Sequence, residues 1–165
     1  MQMLTVAIAD IDRDRRAGYE RLLHGEEGIT LLSSFGQCKG SRNDHTFANR
    51  RREQRINMSA CEDEVARIKR LKPGVMLVNL DIGGEEHHEL LLSLRSECPE
   101  SNIVLLADDS VHENKILQAL EIGARGYLNY AAALVHLPMA LRAVGRGEAW
   151  VPRKMLGRIL DRVLN

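Results

Sequence analysis

The chain has 165 residues, enough for one domain with a real core, or one domain plus an appendage. Lys+Arg and Asp+Glu both count 23, so net charge gives no sign of a nucleic-acid or membrane-surface partner. Cys38, Cys61 and Cys98 lie far apart and read as reduced thiols rather than a disulfide framework. No run approaches the ~20 apolar residues of a membrane span, and Met1 to Thr5 lacks the basic-then-apolar order of a secretory signal. The expected compartment is the cytoplasm.

Strands and helices alternate along the chain. Leu4 to Ala9 is an apolar strand ending at Asp10. Arg15 to His24 has helical spacing, with Ala17, Tyr19, Leu22 and Leu23 apolar. Ile29 to Phe35 is a second strand. Ser59 to Glu62 fits a capping box, opening a helix through Val65, Ile68 and Leu71 that Pro73 stops. Val75 to Leu80 is a third strand, and Glu86 to Ser96 a helix ended by Pro99. Ile103 to Ala107 is a fourth strand, and His112 to Ile122 a helix stopped by Gly123. Gly126 to Asn129 is a short fifth strand, and Leu134 to Val144 a last domain helix. Apolar strands alternating with amphipathic helices imply an α/β fold with a parallel sheet covered on both faces. Right-handed crossovers leave few topologies, and five such units match a doubly wound, flavodoxin-like sheet of order 2-1-3-4-5.

Two segments exceed a minimal five-unit domain. Residues 37–57 form an insertion after strand two, with six basic side chains against two acidic ones. Arg50, Arg51, Arg52 and Arg55 could meet phosphate, nucleic acid or an acidic partner, or could form a solvated loop. In the tail, Pro152 suits a helix first turn, and Met155, Leu156, Ile159, Leu160 and Val163 recur at helical spacing as one apolar stripe. That stripe could pack on its own domain or pair with a second copy. The expected division is a domain over 1–148 and a linker or helix over 149–165.

The run Gly74 to Gly84, with Asn79 at its strand end, resembles the central strand of the receiver domains of two-component response regulators. Residues Ala119 to Leu128 and Ala140 to Glu148 resemble the LuxR-type (NarL/FixJ) class most closely. The tail Ala149 to Arg153 looks like that class's linker towards a DNA-binding helix-turn-helix, which would lie outside this chain. The resemblance covers nearly everything except the insertion. It implies a pocket at the carboxyl ends of the strands. There, two acids and an acceptor aspartate hold Mg²⁺, and a hydroxyl and a lysine contact the phosphoryl group. At those positions this chain has Asp10, Ile11, Asn79, Ala107 and Tyr130. An amide is a poorer nucleophile than a carboxylate and brings no charge to a metal. Four of the five groups are replaced, so neither a cofactor nor a metal is expected.

Other residues invite sharper readings. Asp81 or Asp10 could serve as a substitute phosphoacceptor, or be a loop acid and a structural carboxylate. His87 and His88 point about 100° apart on a helix and suit its wet start better than a shared ion. No nucleophile-elbow spacing supports a hydrolase. The expectation is a non-enzymatic, atypical receiver controlling a transcription factor without aspartyl phosphorylation, through dimerisation, a protein partner or a small ligand. In that reading, DNA is bound only by an output domain absent from this chain. The rivals are a receiver phosphorylated at Asp81 or Asp10, and a stand-alone protein-interaction module.

Overall fold

Continuous apolar runs rich in Val, Ile and Leu favour central strands buried on both faces, and that is where the computed structural model places them. It describes residues 2–10, 12–35, 65–80 and 87–165. Strands β1 (Leu4–Ala9), β2 (Ile29–Phe35), β3 (Val75–Asn79), β4 (Asn102–Ala107) and β5 (Gly126–Asn129) form one parallel sheet, ordered β2-β1-β3-β4-β5. This is the flavodoxin-like order read from the sequence. Helices α1 (Arg13–His24), α2 (residues 65–71), α3 (His87–Glu97), α4 (Glu113–Ile122) and α5 (Tyr130–Gly145) connect and cover the strands. A sixth helix, α6 (Arg153–Leu164), follows. The insertion 37–57, with Arg50, Arg51, Arg52 and Arg55, lies outside the described residues. So do Ile11, Asp81 and the capping box at 59–62.

Strand side chains alternate between faces, so each strand serves two cores. Val6, Ile8, Val75, Leu77, Val104, Leu106 and Leu128 meet Tyr19 and Leu23 of α1 and Leu137, Leu141 and Val144 of α5. Ala7, Met76, Val78, Ile103 and Leu105 meet Ile68 of α2, Leu91 and Leu94 of α3, and Ile116 and Leu117 of α4. Parallel register aligns the strand ends: Ala9 opposes Val78, Asn79 opposes Leu106, and Ala107 opposes Asn129. One edge of the sheet therefore gathers the residues that close β1, β3, β4 and β5.

Two helices begin earlier than their apolar spacing predicts. In α1 the Asp12 side chain accepts from the Arg15 backbone N–H, so the helix starts at Arg13 rather than Arg15. In α5 Asn129 accepts from Ala132 N–H, so the helix starts at Tyr130 rather than Leu134. Both caps satisfy donors that a helix start leaves unpaired. Elsewhere helix ends follow the expected stops. Gly123, at φ 126°, ends α4, and Lys72, at φ 46°, turns the chain into Pro73 after α2.

The tail folds back on the domain. Trp150 lies beside Gly126 as an isolated parallel bridge, with Trp150 N–H donating to Arg125 O and Tyr127 N–H donating to Trp150 O. A Cβ on residue 126 would lie 3.3 Å from the Trp150 carbonyl oxygen, so glycine makes this approach possible. The contact blunts the β5 edge, which would otherwise offer unpaired backbone groups. Pro152 takes the N-cap position of α6, just before the first turn in which it was expected. The single tail stripe also divides. Met155 is buried in the core of the α2–α3–α4 face, and Ile159 packs against it. Leu156, Leu160 and Val163 point outward and are exposed. Arg158 and Arg162 reach Glu113 and Glu121 of α4 at 3.1 and 2.6 Å. Such exposed pairs contribute about 0–1 kcal/mol each, so Met155 is the main anchor. Met155→Ala is expected to lower unfolding free energy by about 2–5 kcal/mol. Leu160→Ala should change it by less than about 0.5 kcal/mol. Urea unfolding of the two variants checks this asymmetry.

Candidate functional site

The site is built on alternation. Asp10 continues the row of Val6 and Ile8, and Asn79 continues the row of Val75 and Leu77. Both rows face α1 and α5. Asp10 and Asn79 are fully buried. A buried carboxylate and a buried amide each need hydrogen-bond partners, and the neighbouring helices supply them.

The first partner is Arg15. The Asp12 cap places Arg15 within the first turn of α1, and helix side chains lean back towards the N-terminus. The guanidinium therefore reaches back over the end of β1. Its Nε donates to Asp10 Oδ2 at 2.6 Å and its Nη2 to Asp10 Oδ1 at 2.8 Å. This is the two-pronged fork of a strong arginine–carboxylate pair. Asp10 Oδ1 also accepts from Asp12 N–H, and Arg16 Nη1 donates to the Asp10 carbonyl at 2.7 Å. The bonds from Asp10 hold the Arg15 guanidinium above its already high ordinary pKa, with partial burial opposing them.

The second partner is Tyr130. As the first residue of α5 it brings its hydroxyl to Asn79, whose Nδ2 donates to Tyr130 Oη at 2.8 Å and to Asp10 Oδ2 at 3.0 Å. The Arg15 guanidinium carbon lies 4.2 Å from the centre of the Tyr130 ring, a cation–π contact. Arg15, Asp10, Asn79 and Tyr130 thus close a polar network that links α1, β1, β3 and α5.

Of the five pocket positions expected from the sequence, the structure brings together Asp10, Asn79 and Tyr130. Ala107 is buried at the end of β4 but belongs to the core on the opposite face. Ile11 is outside the described residues. Arg15 was missed by sequence reasoning, although Asp12 three residues before it is a recognisable N-cap. Asp108, accepting from Ser110 N–H, and Asp109, accepting from Asn129 Nδ2, form an acidic rim outside the network. The Ser110 N–H holds Asp108 below the usual carboxylate range.

A divalent cation does not fit these residues. Both Asp10 oxygens already face the guanidinium, and Asn79 turns an N–H towards them. Among the described residues no three His, Cys, Asp or Glu side chains cluster as metal ligands would. Asn79, as an amide, offers no carboxylate for a phosphoryl group to attach to.

Tyr19 lies beneath this network on α1 and is buried. Burial pushes its phenol up to about 12, with the Arg15 charge opposing. An unfolded tyrosine titrates near ~10, so the neutral phenol stabilises the fold fully below that pH. That stability is lost as pH rises from the unfolded value through about 12. Phenolate absorbance in alkali should show a late tyrosine coinciding with unfolding, and Tyr19→Phe should remove that component.

No protein-family sequence profile matches the chain. Among curated proteins it is similar to the transcriptional regulatory protein LiaR of Bacillus subtilis, 27% identical over 93 residues, which is 56% of this chain and 44% of LiaR. The chain thus spans less than half the length of that relative. In structure it is similar to a LuxR-family two-component response regulator from Aurantimonas, with TM-score 0.72 and 15% identity over 99% of this chain and 100% of the other. It is also similar to the signal receiver domain of the response regulator NarL from Mycobacterium tuberculosis, with TM-score 0.68 and 16% identity over 90% of this chain and 100% of the other.

Proposed function

We propose that this chain, which has the receiver fold of two-component response regulators, is a signalling receiver that works without aspartyl phosphorylation. The observation that carries this reading is Asn79, whose amide donates to Asp10 and Tyr130 where an acceptor carboxylate would be needed. Asp10 is a poor substitute acceptor because Arg15 engages both of its oxygens. A carboxylate held that way is a weaker nucleophile, and its approach path is blocked. The role is non-enzymatic, the compartment is the cytoplasm, and DNA would be bound only through an output domain that is not part of this chain.

State would then pass through surfaces rather than through phosphate. Self-association is the favoured route, with a protein partner or small ligand as its modulators. The support is exposed apolar surface on two helices. On α6, Leu156, Leu160, Val163 and Leu164 recur on the outer face. On α5, Leu134, Val135 and Met139 are exposed next to Ala131 and Pro138. Contiguous apolar patches of this kind often mark protein contacts, and two-fold pairing is the commonest way to cover them between identical chains.

Two measurements test the reading. Incubation with acetyl phosphate and Mg²⁺ followed by intact mass should show unmodified protein. A stoichiometric adduct that disappears on Asp81→Asn would overturn the proposal in favour of a phosphorylated receiver. Sedimentation should show a concentration-dependent dimer that Leu156→Asp with Leu160→Asp dissociates, because burying two new charges is costly. A wild-type monomer at high concentration would end the self-association route and assign the exposed face to another protein.

A further inference from the structure

We infer that Arg15 is a tethered counter-ion, standing where a dissociable cation would otherwise neutralise Asp10, so that the state of this pocket is independent of metal in solution. The inference rests on reading the pocket as phosphorylation-independent and goes beyond it by naming the group that makes it so.

Asp10 is fully buried, and its carboxylate cannot remain ionised there without a positive partner. Two kinds of partner are chemically possible at such a strand end. One is a hydrated divalent cation, which would need free carboxylate oxygens and room for its waters. The other is a side chain of this protein. Arg15 takes the second course. It covers Oδ2 at 2.6 Å and Oδ1 at 2.8 Å, and the backbone N–H of Asp12 takes a further place on Oδ1 at 2.8 Å. Asn79 adds an N–H to Oδ2 at 3.0 Å, so both oxygens already accept donors where a metal would have to bind.

The guanidinium is also fixed from its other side. The Tyr130 ring stacks on it at 4.2 Å, and Asp12 lies 3.7 Å from Nη1. Asn79 complements this arrangement. Its amide gives Asp10 and Tyr130 each a hydrogen bond without adding a second negative charge, which one guanidinium could not neutralise. The amide at residue 79 and the arginine at residue 15 are therefore two halves of one arrangement, in which a covalently attached cation does what a bound ion could do. A tethered ion cannot leave, so the pocket has one charge state across the range of metal concentrations.

The test is thermal unfolding at matched ionic strength, with Mg²⁺ or with EDTA. Wild type should unfold at the same temperature in both. Arg15→Ala should melt lower than wild type in EDTA and recover part of the loss in Mg²⁺, because the ion can now reach Asp10. Mg²⁺ at ten times its dissociation constant would raise the folding constant about elevenfold. Asp10→Asn combined with Arg15→Ala should show neither the charge-dependent loss nor the Mg²⁺ response. A wild-type protein that Mg²⁺ stabilises as much as it does Arg15→Ala would overturn the inference. So would an Arg15→Ala variant with no response to Mg²⁺. If Arg15→Ala alone fails to fold, the double variant decides: its folding supports an uncompensated charge as the cause, and its failure overturns the inference. Absence of a phosphate adduct on wild type together with no metal response in Arg15→Ala would defeat this inference alone. A phosphate adduct would defeat the functional reading beneath it.

Discussion

A carboxylate with no exposure to solvent is the constraint around which one end of this molecule is organised. Asp10 follows the apolar run Val6 to Ala9 and would be untenable there without compensation. Its fork to Arg15 settles where α1 must begin, because only a helix capped at Asp12 brings that guanidinium back over the strand end. Removing one partner of such a pair typically costs about 3–5 kcal/mol, since the remaining charge is left buried. The pair need not add much net stability to impose a geometry. Its larger effect is to forbid arrangements of α1 in which Arg15 is elsewhere.

Asn79 and Tyr130 extend that constraint to the other side of the pocket. The amide has donors to give, and it gives them to the Asp10 carboxylate and the Tyr130 hydroxyl. Because Tyr130 opens α5, the same hydrogen bond that satisfies a buried amide also holds the first turn of a helix. Side chains thus tie α1 and α5 to β1 and β3, which are already paired through their backbones. Polar networks in a low-dielectric setting are strong when every member is satisfied and costly when one is lost. A network of this kind suits a fixed arrangement better than a pocket that must exchange ligands.

The far edge of the sheet shows a different economy. There the chain uses backbone pairing at Trp150 and one buried methionine to hold α6, with two exposed ion pairs adding little. This anchoring leaves the outer side of α6 and the outer side of α5 apolar and open. Trp150 secures the β5 edge, and the helix that follows it carries exposed apolar side chains. Those faces carry Leu134, Val135 and Met139 on α5 and Leu156, Leu160 and Val163 on α6.

The sequence alone determined the sheet. Runs such as Val75 to Val78 and Ile103 to Leu106 are apolar at every position, so they must be central strands, and alternation with amphipathic helices makes that sheet parallel. It also determined that residue 79 is an amide and residue 130 a tyrosine, which removed the nucleophile and the lysine from the reading at once. What it left undecided was which polar groups meet. Periodicity reports which face a residue occupies, but not which distant residue faces it. Arg15 read as one more basic residue on a helix, and only the packing of α1 across β1 brought it onto Asp10. The tail stripe was legible as apolar spacing, yet Met155 and Leu160 carry the same signal and end in opposite environments. Hydrophobic spacing is a property of one helix, whereas burial is a property of the pair of surfaces that meet. Only the tertiary structure supplies the second surface.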